Sequence, residues 1–160
     1  FRAFTDPRTI SKMSKDQVKI ALDLLVEAAK AKQVDVSRVV CISPYPASVG
    51  LIEKMRKGHS FQGQENDVAF VIMGTTHPRP RPGFTCNPKR LNAMLSCQKS
   101  ALVIVGDINV AHNQTRYEVI DESTGDRSFV VGRAINAIYS ELRSSRSSSG
   151  HFFCYPEAHT

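Results

Sequence analysis

Two glycines in this chain have the spacing of a phosphate-binding loop, which would be the most direct sign of nucleotide chemistry. Gly58 and Gly63 stand as far apart as the glycines of the loop whose backbone N–H groups hold nucleotide phosphates. That loop also needs a lysine and then a serine or threonine directly after its second glycine. Here Gln64 and Glu65 follow instead. The sequence therefore contains no phosphate-binding loop of its own.

The cysteines and histidines lack the spacing of a metal site. Cys41, Cys86, Cys97 and Cys154 are scattered, and no two of them are separated by two residues, as zinc sites usually require. His151 is close enough to Cys154 to share a metal, but no second pair exists. We therefore predict no metal, and free thiols typical of the cytoplasm or nucleus. Since Cys41 stands in an apolar run, we expect its thiol to be buried.

A loop rich in proline and arginine offers accessible positive charge. It reads HPRPRPGF from His77 to Phe84, and its prolines exclude regular structure. Arg79 and Arg81 could contact a nucleic-acid backbone, because such contacts need only accessible positive charge; a solvated loop stiffened by proline is the alternative. The whole chain has 21 Lys and Arg against 15 Asp and Glu, a net charge of +6. This excess permits contact with phosphates without requiring it.

The elements that must position these residues alternate between helices and short apolar strands. We predict four helices: over Lys15–Gln33, over Val49–Met55, after an N-cap at Asn87, and over Arg133–Arg143. We predict strands at Val39–Ile42, Val68–Met73, Ala101–Val105 and Ser128–Val131. Val119 to Glu122 is similar to a Mg²⁺-binding strand end, but its apolar run is short, and Ser123, Thr124 and Gly125 after it favour a turn. The alternation predicts an α/β fold with a mostly parallel sheet between helices.

A length of 160 residues is enough for one domain with a real core. We predict that domain over residues 1–143, with a Ser-rich loop and a last edge strand at Phe152–Tyr155 in residues 144–160. No apolar stretch is long enough to span a membrane. Because the chain begins with Phe1 rather than Met, we expect a piece of a larger protein.

Three segments, in order, resemble motifs of the second RecA-like domain of superfamily-1 DNA and RNA helicases of the nonsense-decay type. VVCISPYPASVGLI is similar to motif IV, approximately ITPYxxQ, and HSFQGQENDVAFVI to motif V, roughly DSFQGREKDVVIV. RLNAMLSCQKS with LVIVGD is similar to motif VI, RLNVALTRAK with LIIVGD. With SKMSKDQVKIAL before them, the resemblance covers about residues 11 to 107. It implies a single RecA-like domain of the P-loop NTPase type.

The resemblance also implies a place in an ATP-dependent motor. In such helicases ATP and Mg²⁺ lie between two RecA-like domains, and the first, N-terminal domain supplies the phosphate loop. Glu65 would bind the ribose hydroxyls with Gln62 beside it, and Gly63 would let the backbone approach the nucleotide. The alternative is that these three residues form a solvated turn. Pro44 and Tyr45 would contact RNA or DNA.

Motif VI should supply an arginine that stabilises charge on the transferred phosphate, worth roughly 10³- to 10⁵-fold in rate for such arginines. The resemblance places Cys97 there, with Lys99 as a weaker candidate that would point elsewhere if the helix continued. In the family a loop and a strand separate the motif IV helix from motif V, whereas here Met55 comes almost directly before His59. We therefore expect that a strand is missing or shortened there, and that phosphate catalysis through this domain is compromised. Because the phosphate loop is also missing, we expect the isolated chain to be inactive.

Two hypotheses stand beside the second motor domain of a helicase. One is a degenerate helicase-like module that binds nucleic acid or a protein partner without catalysis, which Cys97 and the altered motif V favour. The other is a small basic nucleic-acid-binding protein unrelated to helicases. A RecA-like order of strands would exclude the last.

Overall fold

The fold is organised around a small parallel sheet. The structure, a computed structural model, describes residues 2–31, 34–55, 67–77, 83–110, 116–120 and 124–144. Its strands are β1 (Phe4–Thr5), β2 (Lys12–Met13), β3 (Val39–Ile42), β4 (Val68–Ile72), β5 (Ala101–Val105), β6 (Arg116–Ile120) and β7 (Arg127–Val131). Its α-helices are α1 (Lys15–Lys30), α2 (Pro46–Met55), α3 (Pro88–Leu95) and α4 (Arg133–Ser144), with short 3-10 turns at Val36–Arg38 and Phe84–Cys86.

Strands β3, β4 and β5 pair in parallel, with β4 in the centre. Side chains on the two faces of β4, together with the residue after it, pack in two different hydrophobic cores. Phe70 and Ile72 pack with residues of α1 and α2, whereas Val71 and Met73 pack with residues of α3 and α4. A strand covered on both faces has to be apolar throughout, as this one is. The predicted α/β fold, a parallel sheet between helices, is confirmed.

Local sequence signals fix where the helices begin. The Ser14 hydroxyl caps α1 by accepting the Gln17 N–H at 3.3 Å. Asn87 caps α3 as predicted, since its side chain accepts the Lys89 N–H at 3.0 Å and Pro88 occupies the first turn. These caps satisfy N–H groups that have no partner inside the helix.

Asp67 joins the amino ends of the three parallel strands. Its N–H donates to the Arg38 carbonyl at 2.9 Å, and its own carbonyl accepts from Ser100 and Ala101 at 2.8 and 3.1 Å. Its carboxylate receives the Arg38 guanidinium through two atoms, each at 2.9 Å. One residue thus fixes where β4 starts relative to both neighbours.

The region after β5 differs from its prediction. Val119 and Ile120 belong to a strand, β6, where we predicted a turn, although Thr124 and Gly125, two of the residues that favour it, do form a turn after this strand. β6 pairs with β7 in an antiparallel ribbon that does not join the parallel sheet. Pairing along five residues outweighs the weak apolar signal of the sequence, which is why the prediction was wrong.

Smaller differences concern ends and burial. α1 ends at Lys30, short of Gln33, and β4 ends one residue before Met73. Cys41 is half-buried rather than buried, because β3 is an outer strand of the sheet. α4 includes Ser144, one residue beyond the predicted end. The segment before motif V, where we predict that a strand of the family is missing or shortened, lies outside the described residues, as do the predicted elements beyond residue 144.

Candidate functional site

The carboxyl ends of the three parallel strands form the edge at which sheets of this kind usually bind ligands. An N-terminal ribbon, residues Arg2–Ser14 with β1 and β2, packs on this edge. The Ser11 hydroxyl accepts the Ala47 N–H at 3.0 Å, and the Ser48 hydroxyl donates to the Lys12 carbonyl at 3.0 Å. The ribbon is thereby attached to the start of α2.

Lys12 and Tyr45 lie beside each other at this edge. Tyr45 is only 6% exposed, and the Lys12 ammonium lies 5.3 Å from the centre of its ring. That distance gives a cation–π contact. Burial lowers the pKa of Lys12 to about 8, an effect that nearby Cys86 opposes. Lys12 therefore remains mostly charged at neutral pH, close to the tyrosine ring.

Cys86 is a buried thiol rather than a nucleophile. Burial raises its pKa to about 12, with the charge of Lys12 acting in the opposite direction. Because the thiolate is the reactive form, a thiol held protonated in this way does not react at neutral pH.

Gln17 fixes the loop after β4. Its side chain is fully buried; Oε1 accepts the Gly74 N–H at 2.8 Å and Nε2 donates to the Thr75 carbonyl at 2.8 Å. Gly74 has a φ of 66°, and a Cβ there would lie 2.9 Å from the Ser48 hydroxyl. The loop therefore requires glycine and an amide side chain. A sequence signal existed, since Gln17 lies four residues before Ala21 on the apolar face of α1.

Asp107 connects the loops that follow β4 and β5. One carboxylate oxygen accepts the His77 N–H at 2.8 Å and the other accepts the Asn109 N–H at 2.9 Å. Tyr139 of α4 lies nearby, and burial together with the Asp107 charge raises the pKa of its hydroxyl. The Asp107 carboxylate holds the backbone N–H groups of His77 and Asn109, and the Tyr139 hydroxyl stays protonated. The two side chains therefore form no acid–base site.

The helix that carries motif VI ends before the position of interest. α3 stops at Leu95, and Cys97 is exposed beyond it, its thiol donating to the Ala93 carbonyl at 2.7 Å. The helix does not continue to Lys99, because Ser96 leaves helical geometry at the C-cap. Cys97 therefore contacts its own helix.

Five predicted site residues lie outside the described residues, and their roles stay predictions: Gln62, Gly63, Glu65, Arg79 and Arg81. Pro44 and Tyr45 follow β3 at the carboxyl edge, where the resemblance puts them. Their contact with nucleic acid also stays a prediction. Because only 6% of Tyr45 is exposed, a base could stack on its ring only if the residues that cover the ring moved.

Two absences hold for the part of the chain that the structure describes. No three His, Cys, Asp or Glu side chains in these ranges come together in a way that could hold a metal ion. None of the described helices is both long and apolar enough to cross a membrane.

Comparison with known proteins identifies the kind of domain. Residues 3–109 match the AAA domain family. The regulator of nonsense transcripts 1 homolog of Drosophila melanogaster is 29% identical over 83 residues, which are 52% of this chain and 7% of that protein. The probable helicase MAGATAMA 3 of Arabidopsis thaliana is 29% identical over 83 residues, 51% of this chain and 10% of that protein. The matched half of the chain thus spans a tenth or less of each relative's length.

Proposed function

Because the chain belongs to the AAA domain family and is similar to helicases, we propose that it is the second RecA-like motor domain of an ATP-dependent nucleic-acid helicase. The observation that carries the proposal is the placement of the motif-like segments on one sheet. The motif IV segment ends β3, the motif V segment continues into β4, and the motif VI segment runs from α3 into β5. The three segments therefore belong to neighbouring strands of one parallel sheet, with Pro44 and Tyr45 at the carboxyl end of β3 and Cys97 before the amino end of β5.

The domain would work only beside a first RecA-like domain. The described residues at the carboxyl edge are engaged with one another, as Gln17 is with the loop after β4 and Asp107 with backbone N–H groups. They do not by themselves make a nucleotide site. ATP and Mg²⁺ would be bound by the first domain, with Glu65 closing over the nucleotide from this side. The isolated chain should therefore not hydrolyse ATP.

One observation favours a second candidate function, a degenerate module that binds RNA, DNA or a protein partner without catalysis. At the motif VI arginine position the Cys97 thiol is turned to its own helix, where it donates to the Ala93 carbonyl. A thiol cannot make the charged, two-pronged contact of a guanidinium with phosphate. A motor built with this domain would lack the charged contact that the arginine makes with the phosphate.

Restoring the arginine separates the two candidates. In the full-length parent protein, Cys97→Arg should raise RNA- or DNA-stimulated ATP turnover by about a thousandfold if this is a motor domain. Ser96→Arg is the matched control, because Ser96 is also exposed and also donates to a carbonyl of α3. No turnover in the parent with either cysteine or arginine at position 97 would contradict the motor and support the module.

A further inference from the structure

The tip of the N-terminal ribbon holds an isoleucine in a strained and exposed position. Ile10 has a φ of 55° and is 75% exposed. Among the residues that the structure describes, it alone combines a side chain with a positive φ. A β-branched residue is strongly disfavoured in this region of backbone space, and asparagine or glycine would fit there without strain. Strain of this kind is found mainly where it serves binding.

Asp6 holds the tip in this conformation. Its carboxylate accepts the Arg8 N–H and the Thr9 hydroxyl, each at 2.9 Å. Its carbonyl accepts the Ile10 N–H at 2.8 Å, and its N–H donates to the Ser11 carbonyl at 2.7 Å. The isoleucine is therefore presented outward on an organised turn, which reduces the entropy that a ligand must overcome on binding.

The charge of the ribbon indicates what it could bind. Between Arg2 and Ser14 there are three basic residues and one acidic residue, so this short segment carries a third of the chain's net charge of +6. Phe4, 51% exposed, and Ile10 alternate along the ribbon with Arg2, Arg8 and Lys12. An apolar protein groove would need only the two apolar side chains. Single-stranded nucleic acid offers bases to them and phosphates to the cations.

The ribbon also lies where nucleic acid is expected. It packs on the carboxyl edge of the sheet, and the Lys12 ammonium lies 5.3 Å from the centre of the Tyr45 ring. Since Tyr45 is 6% exposed, the ribbon rather than the ring is the accessible surface there.

We propose that the N-terminal ribbon is a contact site for single-stranded nucleic acid, in which Ile10 packs against a base while Arg8 and Lys12 bind backbone phosphates. The proposal rests on the proposed function in taking nucleic acid as the ligand. It assigns the apolar contact to a residue that is outside the motif IV, V and VI segments.

The first test changes Ile10 to asparagine, which accepts the left-handed backbone and removes the apolar side chain. Fluorescence anisotropy follows binding of a fluorescein-labelled oligouridylate and a matching oligothymidylate. Ile10→Asn should raise the midpoint of thermal unfolding and yet weaken binding about tenfold. Phe129→Asn is the control, because Phe129 is an exposed apolar residue, 70% accessible, on the separate β6–β7 ribbon. It should leave binding unchanged.

The second test concerns charge. Arg8→Gln should reduce the slope of log affinity against log salt by about 0.7, the value for one phosphate contact to a single strand. Lys54→Gln is the control, since Lys54 is exposed near the end of α2, away from the edge where that helix begins. It should leave the slope unchanged.

The outcomes separate the ribbon from the proposed function. Salt-sensitive binding by the wild-type chain that Ile10→Asn and Arg8→Gln do not alter would overturn the ribbon proposal and leave the helicase function standing. If the wild-type chain binds neither oligonucleotide, the ribbon proposal is overturned, and the ATPase test with Cys97→Arg decides the function independently. Should Ile10→Asn lower the unfolding midpoint, the Arg8 and Lys54 pair decides alone.

Discussion

The parallel sheet and the N-terminal ribbon are held in opposite ways. In β4, Ala69 to Ile72 are buried on both faces and hydrogen-bonded to a strand on each side. The ribbon has two strands of two residues each, exposes Phe4 and Ile10, and is attached through side chain-to-backbone hydrogen bonds. The sheet is therefore stabilised by burial, whereas the ribbon depends on polar contacts with a surface that the sheet has already built. The difference indicates that the sheet supports the site and the ribbon is available to contact a ligand.

The largest effect should come from removing a core side chain of the sheet. Ile72 is fully buried, so Ile72→Ala should lower the free energy of unfolding by about 3–4 kcal/mol, through lost burial and the cavity left behind. Ile10→Ala removes the same atoms from a side chain that is 75% exposed, and it should change the free energy of unfolding by less than about 0.5 kcal/mol. Urea unfolding measures both. Equal losses would contradict the division between sheet and ribbon.

An intermediate effect should come from the place where sheet and ribbon meet. Gly74→Ala should lower the free energy of unfolding by about 3 kcal/mol, because it combines a positive φ with contacts to Ser48 and Tyr45. Gly125→Ala has a similar φ of 74° but open space around its Cβ, and should cost about 1 kcal/mol. The difference between the two losses measures the cost of the close contacts with Ser48 and Tyr45. Similar losses for the two glycines would show that the edge is loosely packed.

The smallest effect is a pH dependence that comes from Lys12. Its pKa, about 8 when folded against a usual 10.5, means that the unfolded chain binds more protons between these values. The free energy of unfolding should therefore rise by on the order of 1 kcal/mol from pH 8 to pH 9. Above pH 9 the buried Cys86 thiol lowers the free energy of unfolding. Its raised pKa keeps the thiol protonated in the folded chain, whereas the thiol of the unfolded chain ionises. We expect a maximum near pH 9.

Urea unfolding across this pH range measures the Lys12 effect. Lys12→Met should abolish the rise between pH 8 and pH 9, whereas Lys54→Met, at an exposed position, should keep it. A rise that persists in Lys12→Met would assign the effect to another group and weaken the description of Lys12 as partly desolvated beside Tyr45.

The sheet could be predicted from sequence because its signals are local and strong. Ala101 to Val105 and Val68 to Ile72 are continuous apolar runs, and Asn87 with Pro88 marks the start of α3. The comparisons with known proteins confirm the resemblance to helicases that these segments carry.

The ribbon and the edge could not be predicted in the same way. β1 and β2 are too short to show alternation, and their pairing depends on contacts with α2 that lie far along the chain. The contacts of Gln17 with Gly74 and Thr75 join residues almost sixty positions apart. The end of α3 at Leu95 has no proline or glycine to mark it, so the sequence gives the start of this helix but not its last residue.

Asp67 has a consequence for how such domains can vary between relatives. Because it ties the start of β4 to Arg38, Ser100 and Ala101, the register of the sheet is set from that residue onward. A slip of one residue would turn every β4 side chain to the opposite face, and Asp67 prevents it. The segment between Met55 and Asp67 can then gain or lose residues over generations without disturbing the three strands. Length variation ahead of β4 is thereby separated from the geometry of the sheet.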